Sequence, residues 1–409
     1  MRIFTVSCVE PFYQPLEHTL AHISRRTSSV VGELMCRILK LPEQFLPDAL
    51  ILFTGAFHRL SRKYGSFAYR LMNLDTGSSL SQLHMVAKSI GLYAHTTWSK
   101  ADDLIQEELN LNCVGEYPTA IVEISRKPCK RSWSALLLRL RSKRTLVPPR
   151  SWKPASLFAN MDVQEVTTQL IAESRILEFE PLPRARPIPR ELLSERCPPS
   201  VAVRLPKPAN NALSLGDVLA NRRSIREFSQ RPVDAGAVGT ALCYARAADV
   251  ADWSDEHRCR LALTYLVIAR QIVGVEPGVY RYDDGIHGLC KVGSALSHEE
   301  MIDLIVQDEF ANAPVLVWIT GNLAAACARD GARGHRQLLV RAGAAGHRLW
   351  MAALGLGLSG AVVAGLVPGA ARRVLGMDGY NVASLFAFAG GYGVRGLQSQ
   401  AVSKPIIPK

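Results

Sequence analysis

Three arginines and a serine crowd into five positions, Arg222, Arg223, Ser224 and Arg226, within the stretch "NRRSIREFSQ" at 221–230. A guanidinium group is a planar, permanently charged fork that engages two oxygens at once. This density of donors therefore points to an anion, and a phosphate monoester suits it best. If the chain is extended here, side chains alternate and Arg222, Ser224 and Arg226 share one face. Upstream, "LSLGDVLA" supplies a short helix: Ser214 stands three residues before Asp217, a capping-box-like start, and Leu215, Val218 and Leu219 keep helical spacing. The same residues also suit a solvated basic turn after a surface helix, and spacing alone does not choose between the two.

The rest of the chain limits what such a site can belong to. With 409 residues, 48% hydrophobic and 21% charged, the sequence is globular and long enough for two domains. Nine cysteines are scattered without a Cys-x-x-Cys pair or a zinc-like His spacing, which fits small buried thiols in a reducing compartment. The N-terminal "MRIFTVSCVEPF" has neither a long apolar run nor a small-residue cleavage site, so a cytoplasmic location is expected. Leu349–Ala371 carries no charge and imitates a membrane span, but its glycines and Pro368 read better as a buried helix, a tight turn and another buried segment. Between Arg126 and Lys153 stand ten Lys or Arg and no acid, which accounts for nearly all of the net charge of +12. No nucleic-acid motif accompanies this stripe, and nucleic acid is not expected as a partner. A solvated helix and a docking site for an acidic peptide both stay open. From there to about residue 210 the chain is proline-rich, with one helix expected near "MDVQEVTTQLIAESRI".

An internal repeat gives the organisation. At a constant offset of 266, Arg70 matches Arg336, Gly77 Gly343, Leu83 Leu349, Met85 Met351, Ala87 Ala353, Gly91 Gly357 and Leu92 Leu358. In each copy a long apolar-faced helix ends in Gly-Leu. A short helix follows, then a turn and an apolar strand, "TAIVEIS" or "ASLFAFAGG". A weaker match sets "EPFYQPLEHTL" (10–20) against "EPGVYRYDDGIHGL" (276–289). The expected division is a lobe at 1–125, a connector at 126–210, a second lobe at 211–396 and a tail at 397–409.

The motifs "NRRSIREF", "GVEPGVYRYD", "NAPVLVWITG" and "AGAAGHRLWMAALGLGLSG" resemble a flavin-dependent nitroreductase-like domain. Within that group the second lobe is most similar to the SagB-type dehydrogenases that oxidise azolines in ribosomally made peptides. The first lobe resembles only the later part of such a domain. It carries Lys63-Tyr64-Gly65, which looks like the Lys-Tyr pair that these dehydrogenases use for catalysis. The resemblance implies an α+β, nitroreductase-like fold with FMN at an interface between two lobes. Arg222, Arg223, Ser224 and Arg226 would hold the flavin phosphate, with Arg395 added to them. A glycine turn at Ser359, Gly360 and Ala361 would offer backbone groups to the flavin ring edge. Lys63 and Tyr64 would be the catalytic pair. At offset 266 Arg329 and Asp330 replace them, and only the second lobe has the arginines. The expectation is therefore a fused, asymmetric pseudo-dimer with one competent site.

The chemistry implied is removal of a proton and a hydride from adjacent carbons of an azoline. The hydride passes to the flavin and the proton to a lysine whose pKa is lowered towards neutrality by burial or by neighbouring cations. The partners implied are a precursor peptide as substrate and a cyclodehydratase. Where SagB-like relatives carry a Pro-Ser-x-Gly-x stretch, this chain has "WSDEHRCR", and the first lobe begins after the place for its own copy; "RRTSSVVGE" (25–33) is a poor substitute. Two other classes stay open: an FMN-dependent reductase of quinones or nitroaromatics, and a non-catalytic docking subunit. Without the resemblance, Lys63 reads as an exposed lysine at a helix start.

Overall fold

The computed structural model describes residues 2–5, 9–14, 19–25, 28–98, 101–111, 115–127, 163–175, 202–210, 213–253 and 261–394. Most of the basic stripe, the loop after Trp253 and Arg395 lie outside the described residues. Two compact units form, Met1–Thr76 with Leu83–Ala185, and Gly77–Gln82 with Arg186–Lys409.

The first unit is built on an antiparallel sheet of β1 (Arg2–Thr5), β2 (Val9–Gln14), β3 (Thr19–Arg25), β4 (Ala49–Gly55), β5 (Tyr93–Thr97) and β6 (Tyr117–Ser125). Its strand order is β3-β2-β1-β4-β6-β5. The helices are α1 (Ser28–Leu39), α2 (Phe57–Tyr64), α3 (Phe67–Ser89, of which Gly77–Gln82 belongs to the second unit), α4 (Asp102–Glu108) and α5 (Val163–Glu173). The last is the helix expected inside the connector. Val31, Leu34, Met35 and Ile38 recur at helical spacing along α1, so they form one apolar stripe. That stripe is buried with Leu50 and Leu52 of β4, two apart and hence on one face, and with Leu104 and Ile105 of α4. Each such side chain contributes about 1.5–3 kcal/mol by leaving water.

The second unit carries β7 (Ala202–Arg204), β8 (Thr264–Ala269), β9 (Gly278–Asp283), β10 (Gly288–Gly293), β11 (Val315–Gly321), β12 (Ser359–Val363) and β13 (Ala383–Gly391), in the order β12-β13-β11-β8-β9-β10-β7. Its helices are α6 (Leu215–Asn221), α7 (Ala235–Asp252), α8 (His298–Leu304), α9 (Leu323–Asp330), α10 (Ala332–Gly355) and α11 (Pro368–Leu375). Alternate residues of four strands, Leu266 and Ile268, Leu316 and Trp318, Ala361 and Val363, Ala387 and Ala389, pack with Met301 and Leu304 of α8 and Ala370 and Ala371 of α11. α10 joins α7 through a buried ion pair: Arg341 donates to both carboxylate oxygens of Asp249, at 3.2 and 2.9 Å, and to Leu261 O at 2.7 Å. Full pairing is what makes a buried guanidinium tolerable. α10 also lies tight on its sheet, since a Cβ at Gly346 would come within 2.6 Å of the Phe386 ring.

The repeat is a repeat of structure. β4, α2, β5 and β6 recur at the same offset of 266 as β11, α9, β12 and β13. Even the irregularity recurs, because the β4–β6 register shifts between Phe53 and Thr54 and the β11–β13 register between Ile319 and Thr320. The weaker match needs correcting. Arg2 pairs Phe12 and Phe12 pairs Ala21, as Leu266 pairs Arg281 and Arg281 pairs Cys290. Phe12 therefore corresponds to Arg281, and the Glu-Pro alignment is three residues out of register. A strand is also added to the expected order, β5 or β12, between the long helix and the short one. Gly357, at φ +80, closes the turn before β12, a backbone state glycine adopts without strain. The uncharged stretch at 349–371 accordingly divides into the end of α10, β12 and the start of α11, and no helix among the described residues is long and apolar enough to cross a membrane.

Candidate functional site

The arginine stretch begins where α6 ends. Ser214 caps α6, its Oγ accepting from Asp217 N at 3.1 Å, and Arg222 leaves the helix with φ −59 and ψ 121. The chain is then pinned on two sides. Ser224 bridges Gly360 of the edge strand β12, with Ile225 N donating to Gly360 O at 3.2 Å. Phe228 bridges Gly393, and Ser229 N donates to Tyr392 O at 2.7 Å. Phe228 is buried in the core and Ile225 packs against it, so the backbone cannot swing. Inward positions therefore fall at 222, 225 and 228, every third residue, while Arg223, Ser224 and Arg226 are exposed. Simple two-residue alternation does not describe the segment, because Ile225 and Phe228 must both reach the core.

Arg222 is held against α10. Its guanidinium carbon lies 4.7 Å from the centre of the Trp350 ring, a cation–π contact worth about 0.5–2 kcal/mol. One turn earlier His347 is buried, and its Nδ1 hydrogen-bonds Ser81 Oγ at 3.0 Å, Ser81 belonging to the same compact unit. Burial foremost, then the charges of Arg348 and Arg222, lower the His347 pKa to about 4. A neutral imidazole is what this cationic neighbourhood permits.

Ser359, Gly360 and Ala361 are a strand and not a turn, and Gly360 is the residue that Ser224 bridges. The helix has already ended at Gly355, and Gly357 has made the turn. Gly360 is required by its own sheet: a Cβ there would stand 2.4 Å from Ala389 O and 2.7 Å from the Phe388 ring.

Lys63 and Tyr64 occupy the last turn of α2, not its start. Lys63 is exposed, so the burial expected of a basic lysine is absent, and Tyr64 is 41% exposed. The Lys63 ammonium sits 5.1 Å from the Tyr64 ring centre. Gly65 follows at φ +54, as Gly331 follows Asp330 at φ +63 in the second copy. There Arg329 is buried and ion-paired with Asp330. The same backbone turn thus carries an open Lys-Tyr pair in one unit and a closed ion pair in the other.

Residues 219–392 match the Nitroreductase family model. A curated protein of Methanocaldococcus jannaschii, assigned by name to the nitroreductases, is 27% identical over 177 residues, covering 41% of this chain and 87% of that one. A crystal structure of a nitroreductase-type protein from Anabaena variabilis superposes with a TM-score of 0.75 at 18% identity, covering 96% of this chain and 80% of that chain. The fold is nitroreductase-like. At this identity the superposition speaks for architecture alone, and the family match points to a flavin-dependent oxidoreductase.

The donor set on the nitroreductase-like second unit fits a phosphate. Arg222, Arg223 and Arg226 have no carboxylate partner among the described residues, and the buried Trp350 Nε1 has no acceptor. Every one of these groups gives hydrogen bonds and none accepts them. Trp350, His347 and Ser81 were not singled out by sequence reasoning. The available signal was a single Trp in a helix with no Phe or Tyr. At offset 266 His84 stands at the Trp350 position, bonded to Thr96 Oγ1 at 2.7 Å.

Proposed function

We propose that this protein is an FMN-dependent dehydrogenase that oxidises azoline rings in a ribosomally made peptide to thiazoles or oxazoles. The observation that carries the flavin part is the row of unpartnered donors at 222–226, pinned to the edge strand β12. The azoline part rests on the resemblance of the Lys63-Tyr64 pair and its surrounding motifs to the SagB-type enzymes. Arg222, Arg223, Ser224 and Arg226 would hold the cofactor phosphate, a role the resemblance also gives to Arg395. Ser359, Gly360 and Ala361 would offer backbone groups to the cofactor. When bound, FMN supplies a two-electron acceptor for the hydride leaving the azoline ring. Lys63 takes the proton from the neighbouring ring carbon, and Tyr64 holds the Lys63 side chain in place. Because Lys63 is exposed, the bound peptide must itself provide the cover that excludes water from the base. A cyclodehydratase-type reaction must come first, since it makes the azoline that is consumed here.

The test is incubation of an azoline-containing peptide with the FMN-loaded protein, followed by the mass loss of about two daltons expected for two hydrogens. Lys63→Ala should retain FMN and lose roughly 10²–10⁴-fold in turnover, as lost acid–base catalysis does. Tyr64→Phe should be milder, because its ring remains. Parent-rate oxidation by Lys63→Ala would remove Lys63 from the mechanism.

One observation favours a second reading, an FMN-dependent reductase of quinones or nitroaromatics. Lys63 and Tyr64 are both open to solvent, where a small acceptor needs no base. Nitroaromatic reduction driven by a reduced nicotinamide, with no azoline turnover, would select it.

A further inference from the structure

We infer a second ligand site on the nitroreductase-like unit, a cavity that takes a small carboxylate carried on an apolar stem. It lies at the β10–β7 edge of the seven-stranded sheet, whereas the arginine stretch lies against β12 at the opposite edge. The two are therefore separate sites. The cavity, about 650 Å³, is bounded by Arg204 and Leu205 at the end of β7, Arg246 and Val250 of α7, and Ile286 and His287 after β9. That volume suits a small organic molecule.

The walls are already built. Pro206 O can only accept, so His287 Nε2 carries the hydrogen of their 2.9 Å bond, and Nδ1 is left to accept from the Tyr282 hydroxyl at 2.9 Å. This imidazole clamps the β9–β10 turn to the chain leaving β7. Cys243, Arg246, Ala247 and Val250 all line the cavity from α7 at helical spacing, giving a continuous floor.

The charge of the lining chooses the ligand. Arg204, Lys207 and Arg246 face one acid, Asp284, which Arg246 Nε already engages at 2.9 Å. Arg246 Nη1 remains buried without an acceptor, and Arg204 and Lys207 have no partner among the described residues. Arg204 and Lys207 are exposed, so an incoming anionic acceptor gives the buried Arg246 Nη1 its missing partner and gains from the two exposed charges beside it. Leu205, Val250 and Ile286 then require an apolar body, which argues against inorganic phosphate. Among the described residues the sheet of the first unit has no counterpart of β7.

The probe is octanoate, titrated calorimetrically into the full chain beside octanamide and inorganic phosphate. Octanoate should bind at least roughly tenfold more tightly than either, since each charge-assisted bond is worth about that factor or more. Arg204→Glu/Lys207→Glu should lose that preference. If the double variant fails to fold, Arg204→Gln/Lys207→Gln should show the same loss. A reporter variant, Val250→Trp, should change its emission on octanoate addition and not on octanamide addition. Equal binding of octanoate and octanamide, parent-like binding by the charge variants, or no octanoate binding at millimolar concentration would each overturn the site.

Discussion

Arg222 is a fixed charge and not a loose arm. The helix end, the Ser224–Gly360 bridge and the Trp350 ring determine where its guanidinium stands before any ligand arrives. Arg222→Ala/Arg226→Ala should therefore weaken FMN binding by roughly 3–6 kcal/mol, from about 1.5–3 per charge-assisted bond, as read by flavin titration. Undiminished occupancy would mean that the phosphate sits elsewhere. His347, at the foot of the same cluster, leads to a prediction about pH. In the fold it stays neutral down to about pH 4, while an unfolded histidine titrates near 6.5. As pH falls through that window the unfolded chain takes up a proton that the folded one refuses, so stability present above pH 6.5 is lost by pH 4. The loss from this group is about 3 kcal/mol. His347→Gln should shrink the difference between denaturation midpoints at pH 7 and pH 4.5, and an unchanged difference would exclude His347 as its source. Residue types alone disclosed the arginines, because four polar groups in five positions are visible in any reading. Trp350 and His347 were not legible, since nothing local ties a residue on a long helix to a guanidinium far upstream.

At the scale of elements, the sequence showed the long helices and their Gly-Leu ends but hid the strands that follow. β12 is five residues of small side chains after a glycine turn, too short and too weakly patterned to separate from a helix end. β1 to β3 were hidden for another reason: register is set by backbone pairing, and here it runs three residues away from the alignment that identity favours. The placement of β12 changes what a substitution at Gly360 means. Gly360→Val puts a branched side chain against the Ala389 carbonyl and the Phe388 ring, so the fold itself should suffer by roughly 1–3 kcal/mol or more. Thermal unfolding of the variant checks this. A parent-like midpoint would show that the edge strand yields, and would restore Gly360 as a clean probe of flavin contact.

For the whole molecule, the unequal copies predict how much cofactor is bound. The arginine stretch and its aromatic support at Trp350 belong to the second unit, and this chain should bind one FMN and not two. Flavin released on denaturation, quantified against protein, gives the ratio, and two per chain would contradict the asymmetry. The fold class and the doubling were readable because the offset of 266 holds from β4 to β6 without an insertion, leaving coincident residues to count. The cavity beside β7 was not readable, since a three-residue strand in a proline-rich stretch carries no periodic signal. The doubling within one chain also has a genetic consequence. In a gene for a homodimer every codon change is expressed in both subunits, so a residue useful in one place must be harmless in its twin. Here Lys63 and Arg329, or His84 and Trp350, are separate codons at matching positions of the two copies. Each half of this protein is thereby free to specialise without asking its counterpart to tolerate the change.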